Sequence, residues 1–114
     1  MQASRLRLSI VTWACALAVS ACCGTAMTGN LLRANGRYQE GNFTGAIELA
    51  DHVLAQDPES AEVGAQAALL KGLSLERLGR TSEARAVYEH IADRYPQSTT
   101  GAQARGRLQE LSRR

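Results

Sequence analysis

The sequence has few of the residues that carry out chemistry. It contains two histidines, His52 and His90, and it lacks a serine, histidine and acid cluster, a glycine-rich phosphate loop and a Cys-x-x-Cys pair. The two histidines lie far apart in the chain, without the nearby third ligand that a zinc site would require. We therefore predict a protein that is not an enzyme and that has no metal and no cofactor.

The sequence also lacks an apolar run long enough to span a membrane comfortably. Its most apolar stretch extends from Leu8 to Ala21, contains no acidic residue and follows Arg5 and Arg7. A short apolar stretch behind a basic flank is typical of a signal peptide and not of a transmembrane helix. Residues 1–21 are therefore predicted to be a signal peptide.

The end of this stretch resembles the cleavage box of bacterial lipoproteins. Val19, Ser20 and Ala21 precede Cys22, and in such proteins the cysteine is lipidated and becomes the mature N-terminus. The resemblance implies a lipidated tether at residues 22–27. It also implies a location at the periplasmic face of the outer membrane, because in enteric lipoproteins a residue other than Asp after the cysteine is associated with that destination.

Two alternatives to lipidation remain open. Gly24, Thr25 and Ala26, before Met27, also satisfy the small-residue rule for secretory cleavage. Cleavage there would give a soluble periplasmic or secreted protein. The second alternative is an uncleaved anchor, retained at the membrane.

Cysteine is too scarce for a disulfide framework. Of the three cysteines, Cys15 would leave with the signal peptide and Cys22 would carry the lipid. Cys23 would then have no partner within the chain. An unmodified thiol beside the membrane, acylation, and pairing between two molecules are the alternatives for Cys23.

Charge of one sign is not in excess once the signal peptide is removed. Arg5 and Arg7 account for the formal net charge of +2, which leaves 11 basic and 11 acidic residues. Global charge therefore does not indicate nucleic-acid binding. The end of the chain is more basic, with Arg94, Arg105, Arg107, Arg113 and Arg114 facing only Glu110. A solvated helix face explains these arginines, and an anionic lipid or cell-wall surface is the alternative.

Two stretches of the chain match each other at a constant offset of 38 residues. The matching pairs are Gly41 and Gly79, Ala46 and Ala84, Ala50 and Tyr88, His52 and His90, and Pro58 and Pro96. This spacing predicts a helix-turn-helix unit that occurs twice. The glycines would end the first helix of each unit in a left-handed conformation, and the prolines would stop the second helix.

Apolar residues at helical spacing predict five helices, at residues 28–40, 44–56, 60–78, 81 or 82 to 95, and 98–111. Thr44 is the expected N-cap of the second helix, and Thr81 or Ser82 that of the fourth. Small residues are expected where two helices approach closely. We predict that Ala34 packs against Ala46 and that Gly72 packs against Ala84.

These paired motifs resemble the tetratricopeptide repeat (TPR), a family whose members hold other proteins. The resemblance covers residues 28–112 and implies an all-α fold, a short TPR-like α-solenoid of two repeats plus a C-terminal capping helix. A standard repeat has about 34 residues, so the larger offset implies an extra helical turn, most simply in the third helix. The long helices and the junction from Tyr95 to Ser98 are similar to the periplasmic repeats of the BamD and CpoB type.

In this family the first helix of each repeat lines the surface that receives the partner. The resemblance carries this role to Leu31, Asn35, Tyr38, Gln39, Leu69, Leu73, Glu76 and Arg77. Repeats that clamp a peptide's C-terminal carboxylate use Lys and Asn at such positions, and only Asn35 fits. Leu69 and Leu73 instead favour an apolar groove for a helix or an extended segment. The alternative is that these leucines simply pack against the fifth helix.

We therefore predict a lipid-anchored scaffold that binds another cell-envelope protein or peptide, contacts the membrane through Cys22 and binds no nucleic acid. One alternative is a pilot or assembly lipoprotein that delivers an outer-membrane or secretion-system component. Another is an accessory factor of a peptidoglycan enzyme. Homo-oligomer formation also remains open, because stacked helix pairs normally need about three repeats to bury a continuous core.

Overall fold

The computed structural model describes residues 29–56 and 61–114, and the regular secondary structure of these residues is entirely helical. The predictions for the signal peptide, for the tether with Cys22 and for the stop at Pro58 lie outside the described residues. Within the described ranges, no helix is long and apolar enough to cross a membrane.

Five helices follow one another along the described part of the chain. They are α1 at residues 29–39, α2 at Phe43–Ala55, α3 at Ala61–Arg77, α4 at Thr81–Arg94 and α5 at Thr99–Arg113. The predicted all-α class is confirmed, and the bounds of α2 to α5 lie within two residues of those predicted. Helix α3, with 17 residues, is the longest of these four, in agreement with an extra turn in the third helix.

The two turns inside the helix pairs have the same geometry. Gly41 and Gly79 have φ angles of 82° and 79°, as their predicted left-handed conformation requires. In the first turn, the N–H of Asn42 donates to the carbonyl of Arg37 at 2.9 Å, and the second turn contains the equivalent bond at the same distance. These bonds satisfy carbonyl groups at the end of α1 and of α3 that would otherwise lack a partner.

Asn42, and not Thr44, is the N-cap of α2, so that prediction is wrong. The side-chain Oδ1 of Asn42 accepts a hydrogen bond from the backbone N–H of Gly45 at 3.0 Å. The physical reason is the tightness of the turn. Because Gly41 reverses the chain within a single residue, the next residue already occupies the cap position.

Helix α4 begins without a side-chain cap, so the predicted caps Thr81 and Ser82 are also wrong. Arg80 occupies the cap position and makes no side-chain capping bond, and Thr81 is already the first helical residue. Helix α5 is capped by Ser98, whose hydroxyl oxygen accepts from the N–H of Gly101 at 2.9 Å. This bond fixes the start of α5.

The main core of the described part lies between α3, α4 and α5. Each of the helices α2 to α5 packs against the next one, and α3 also contacts α5. The largest buried side chains of this core are Leu75, Tyr88, Ile91 and Leu111. Among the described residues, eight of the fourteen buried apolar positions are alanines, so the helices pack through small side chains.

Gly72 makes room for the ring of Tyr88, and its packing against Ala84 stays a prediction. A Cβ atom placed on Gly72 would lie 2.5 Å from Cε1 of the Tyr88 ring, and its three nearest atoms all belong to that ring. Ala84 is fully buried, as are Ala34 and Ala46. The ring of Tyr88 needs more space than the side chain of an alanine at position 88 would. Glycine at position 72 on the facing helix provides that space.

Candidate functional site

Helices α1, α3 and α5 line one groove, which we call the inner groove. Its volume is about 410 Å³. Its apolar part consists of Leu31, Leu32, Leu69, Leu70 and Leu73, and its amide side chains are Asn35, Gln66 and Gln103. Helices α2 and α4 contribute no described residue to it. The groove therefore lies on the side of the molecule formed by the first helix of each pair and by α5.

The leucines give the inner groove its apolar character. Leu32 is 66% exposed, the larger exposure of the two exposed large apolar residues in the described part. Leu69 and Leu73 are half-buried and pack against the main core, to which α5 contributes Leu111. The same two leucines therefore support the helix packing and border the groove.

The polar lining of the inner groove is mostly uncharged. Asn35, Gln66 and Gln103 are exposed amides, and each amide offers two N–H donors and one acceptor oxygen. None of the described lining residues is Lys or Arg, so this lining has no cation that could grip a carboxylate. A backbone segment with apolar side chains fits this mixture of leucines and amides.

A partly buried polar link joins α3 to α5 at one end of the groove. The hydroxyl of Thr100, a residue that is 3% exposed, donates to Oε1 of Glu62 at 2.9 Å. Nε2 of Gln66 donates to the same oxygen at 3.1 Å. This link holds the first turn of α5 against the first turn of α3 and so fixes that end of the groove.

Glu76, a predicted partner-binding residue, does not line the inner groove. Its side chain is 8% exposed, and Nη2 of Arg107 approaches Oε1 at 2.7 Å. The Nε group of Arg107 donates to Oε2 at 3.1 Å, and the hydroxyl of Tyr88 donates to the same oxygen. The carboxylate is thus saturated by α4 and α5, because the fold brings both of these partners over the end of α3.

This cluster shifts the pKa values of its members in opposite directions. Burial alone would raise the pKa of Glu76, but the hydrogen bonds from Arg107 and Tyr88 outweigh it, so the pKa lies below its ordinary value. Burial, together with the neighbouring carboxylate, raises the pKa of Tyr88 above its ordinary value. At neutral pH the cluster is therefore a carboxylate held between a guanidinium and a neutral phenol.

Two other predicted residues, Tyr38 and Arg77, form a separate cluster with Phe43. The rings of Tyr38 and Phe43 meet edge to face with centroids 5.4 Å apart. The guanidinium carbon of Arg77 lies 5.4 Å from the centroid of the Phe43 ring. Gln39 is exposed, and none of these four residues is among the described residues of the inner groove.

The structure therefore brings together only part of the predicted set. Leu31, Asn35, Leu69 and Leu73 line the inner groove, whereas Tyr38, Gln39, Glu76 and Arg77 lie outside it. Whether any of them binds a partner stays a prediction.

Sequence reasoning missed the wall that α5 provides. Thr99, Thr100 and Gln103 line the inner groove, although the sequence predicted only a capping role for α5. The order of the helices was an available signal, because α5 follows α4 as the first helix of a third repeat would. Extending the ligand-facing positions to α5 would have included this wall.

Among the described residues, the two histidines have no surroundings that would complete a metal site. His52 contacts Gln56 through Nε2 at 3.1 Å, and His90 is exposed on α4. Across residues 29–56 and 61–114, no group of three His, Cys, Asp or Glu side chains could hold a metal ion.

Comparison with known families agrees with the helix pairs described above. A family model of the tetratricopeptide repeat matches residues 29–99, from α1 to the first residue of α5. No curated protein and no solved structure matches the chain, so the closer resemblance to BamD and CpoB stays a prediction. The family match spans more than half of the sequence and coincides with two helix pairs that turn at left-handed glycines. The chain therefore belongs to the tetratricopeptide repeat family.

Proposed function

We propose that the protein is a non-catalytic scaffold that binds a segment of another protein in its inner groove. Tetratricopeptide repeats generally mediate protein–protein interaction. The observation that carries the proposal is the exposure of Leu32 at 66%, beside Leu31 and the two half-buried leucines of α3. Water disfavours such a row of apolar side chains, and an apolar partner segment would cover it.

The lining of the groove specifies the chemistry of that segment. Apolar side chains of the partner would lie between the leucines of α1 and those of α3. Its backbone N–H and C=O groups would pair with the amides Asn35, Gln66 and Gln103. The one acidic lining residue, Glu62, already accepts two hydrogen bonds within the protein. An uncharged apolar segment is therefore the best match.

The proposal includes a lipid anchor at Cys22 and a position at the periplasmic face of the outer membrane. Its support is the cleavage box from Val19 to Cys22 behind a basic and apolar leader. Seven residues lead from Cys22 to residue 29, and a chain of this length reaches at most about 25 Å. The groove would stay close to the membrane, so its partner would be a cell-envelope protein.

Two matched substitutions test the groove. Leu32→Asp places a charge inside the inner groove, and Leu78→Asp places the same charge outside it, at the only other exposed large apolar residue of the described part. We expect Leu32→Asp to abolish co-purification of crosslinked envelope proteins, and Leu78→Asp to leave it unchanged. Circular dichroism should show both variants folded. Equal capture by the two variants would exclude the inner groove as the binding surface.

The alternative role as a pilot lipoprotein depends on a different part of the molecule. In a pilot the lipid carries the essential role, so Cys22→Ala would abolish function even with an intact groove. In a scaffold, Leu32→Asp would abolish function even with an intact anchor. A complementation assay with the two variants separates these alternatives.

A further inference from the structure

Helices α2, α3 and α4 line a second, open cavity, which we call the outer cleft. Its volume is about 710 Å³, larger than that of the inner groove. The residues that matter for its chemistry are the apolar Leu54, Ala68 and Val87 and the polar Lys71, His90 and Arg94. No described residue lines both the outer cleft and the inner groove, so the two are separate sites.

We propose that the outer cleft binds a small amphiphilic anion, an aliphatic chain that ends in a carboxylate. The apolar wall would receive the chain, and the basic rim would receive the carboxylate. This site is independent of the inner groove and of the partner proposed for it.

The depth of the cleft comes from small side chains. Gly64 and Ala68 of α3 are buried beneath it, and Ala86 of α4 is exposed at its edge. Leu54 and Val87 are half-buried on its two sides. An aliphatic chain laid between these two residues would remove its own surface and theirs from water, which favours binding.

Three basic side chains lie on the same cleft, and no Asp or Glu is among its described lining residues. The Arg94 guanidinium lies 5.9 Å from the centroid of the Tyr95 ring and is in no ion pair with any described residue. Lys71 pairs with Asp51 at 2.7 Å, but an ammonium group has three N–H donors and can serve a second acceptor. Imidazole N–H of His90 is a further donor. The rim therefore offers charge and hydrogen bonds to an anion.

The size of the cleft is compatible with a small molecule. Its volume lies within the range of about 300–1,000 Å³ that is typical of small-ligand pockets. Arg94 and His90 are exposed, so a ligand can enter from solvent.

The test is isothermal titration calorimetry on the full chain with sodium decanoate, kept below its critical micelle concentration. We expect one saturable site, and decylamine, which has the same chain and the opposite charge, should bind at least about tenfold more weakly. Arg94→Gln should weaken decanoate binding about tenfold. The matched control is Arg85→Gln, an exposed arginine of the same helix outside the described lining of the cleft, which should leave binding unchanged.

Ala86→Leu provides an independent steric test. Ala86 is exposed at the edge of the cleft, so leucine should narrow the cleft and weaken decanoate binding at least about tenfold without lowering the thermal midpoint. The proposal is overturned if decanoate shows no saturable binding, or if decylamine binds as tightly as decanoate. It is also overturned if Ala86→Leu binds like the unmodified chain, because decanoate would then occupy another place.

Discussion

At the scale of single residues, Gly101 determines how closely α5 follows the turn before it. A Cβ atom at this position would collide with the backbone carbonyl oxygen of Tyr95. Backbone atoms cannot move aside as the end of a flexible side chain can. Glycine is therefore required at position 101 because it has no side chain, although its backbone conformation is ordinary for a helix.

We expect Gly101→Ala to destabilise the protein by about 1–3 kcal/mol, because the turn must open to admit the methyl group. Gly106, in the same helix, has no neighbour within 4 Å of an added Cβ. Gly106→Ala should therefore stabilise the protein by about 0.5–1 kcal/mol. Urea unfolding followed by circular dichroism measures both effects. Equal destabilisation by the two variants would contradict the close contact with Tyr95.

Cys22 is the residue on which the proposed membrane location depends. Cys22→Ala should abolish labelling by a radioactive or clickable fatty acid and move the protein from the membrane to the soluble fraction. Each CH₂ group of an acyl chain that enters the membrane contributes about 0.8 kcal/mol of binding free energy. The sum over the acyl chains is far more than the arginines near the end of the chain could contribute. Mass spectrometry that finds a mature N-terminus at Met27 without lipid would contradict the anchor.

At the scale of the helices, α5 is held by polar links near the two ends of α3. Thr100 bonds Glu62 at one end, and Arg107 bonds Glu76 at the other. Both bonds connect residues that lie far apart in sequence. They position the wall of the inner groove, since Thr99 and Gln103 lie beside or between them on α5.

Because of the second link, the free energy of unfolding depends on pH in the acidic range. The folded pKa of Glu76 lies below its ordinary value of 4.5. Its contribution is therefore fully present above pH 4.5 and is lost as pH falls through the lower folded value. We expect the unfolding free energy to fall below this pH, and Glu76→Gln to flatten that part of the profile. Urea unfolding across pH 7 to 3 tests this, and parallel profiles would show that Glu76 is not responsible.

Sequence alone predicted the positions of these helices and the left-handed turns between them, but not their caps. The left-handed turns at Gly41 and Gly79 follow from local stereochemistry, whereas the caps at Asn42 and Ser98 were not predicted. The role of Glu76 was not predictable, because its partners Tyr88 and Arg107 lie 12 and 31 residues away. The closure of the inner groove by α5 depends on the same kind of distant contact. The spacing of apolar residues identifies the faces of a helix, but it does not identify which charged side chains of different helices will contact each other.

At the scale of the whole molecule, two repeats depend on α5 to complete their core. Ala104 and Leu111 of α5 are buried beside the side chains of α3 and α4. A chain that ends at Gln97 would expose this surface and also lose the partner of Glu76. We expect that truncated chain to lose its cooperative thermal transition.

A chain that ends at Ser112 is the control for this truncation. It keeps Leu111 and Arg107, and it removes only two exposed arginines. We expect its thermal midpoint to lie close to that of the full chain, as measured by circular dichroism. A cooperative transition in the chain that ends at Gln97 would show instead that the two repeats fold without α5.

The predominance of alanine in the core has a consequence for how the molecule responds to temperature. Unfolding exposes little apolar surface per residue when the buried side chains are mostly single methyl groups. The heat-capacity increment of unfolding follows the apolar area exposed, so it should be small for a chain of this length. A small increment flattens the curve of unfolding free energy against temperature. The free energy of unfolding should then vary little with temperature over the range in which the protein stays folded.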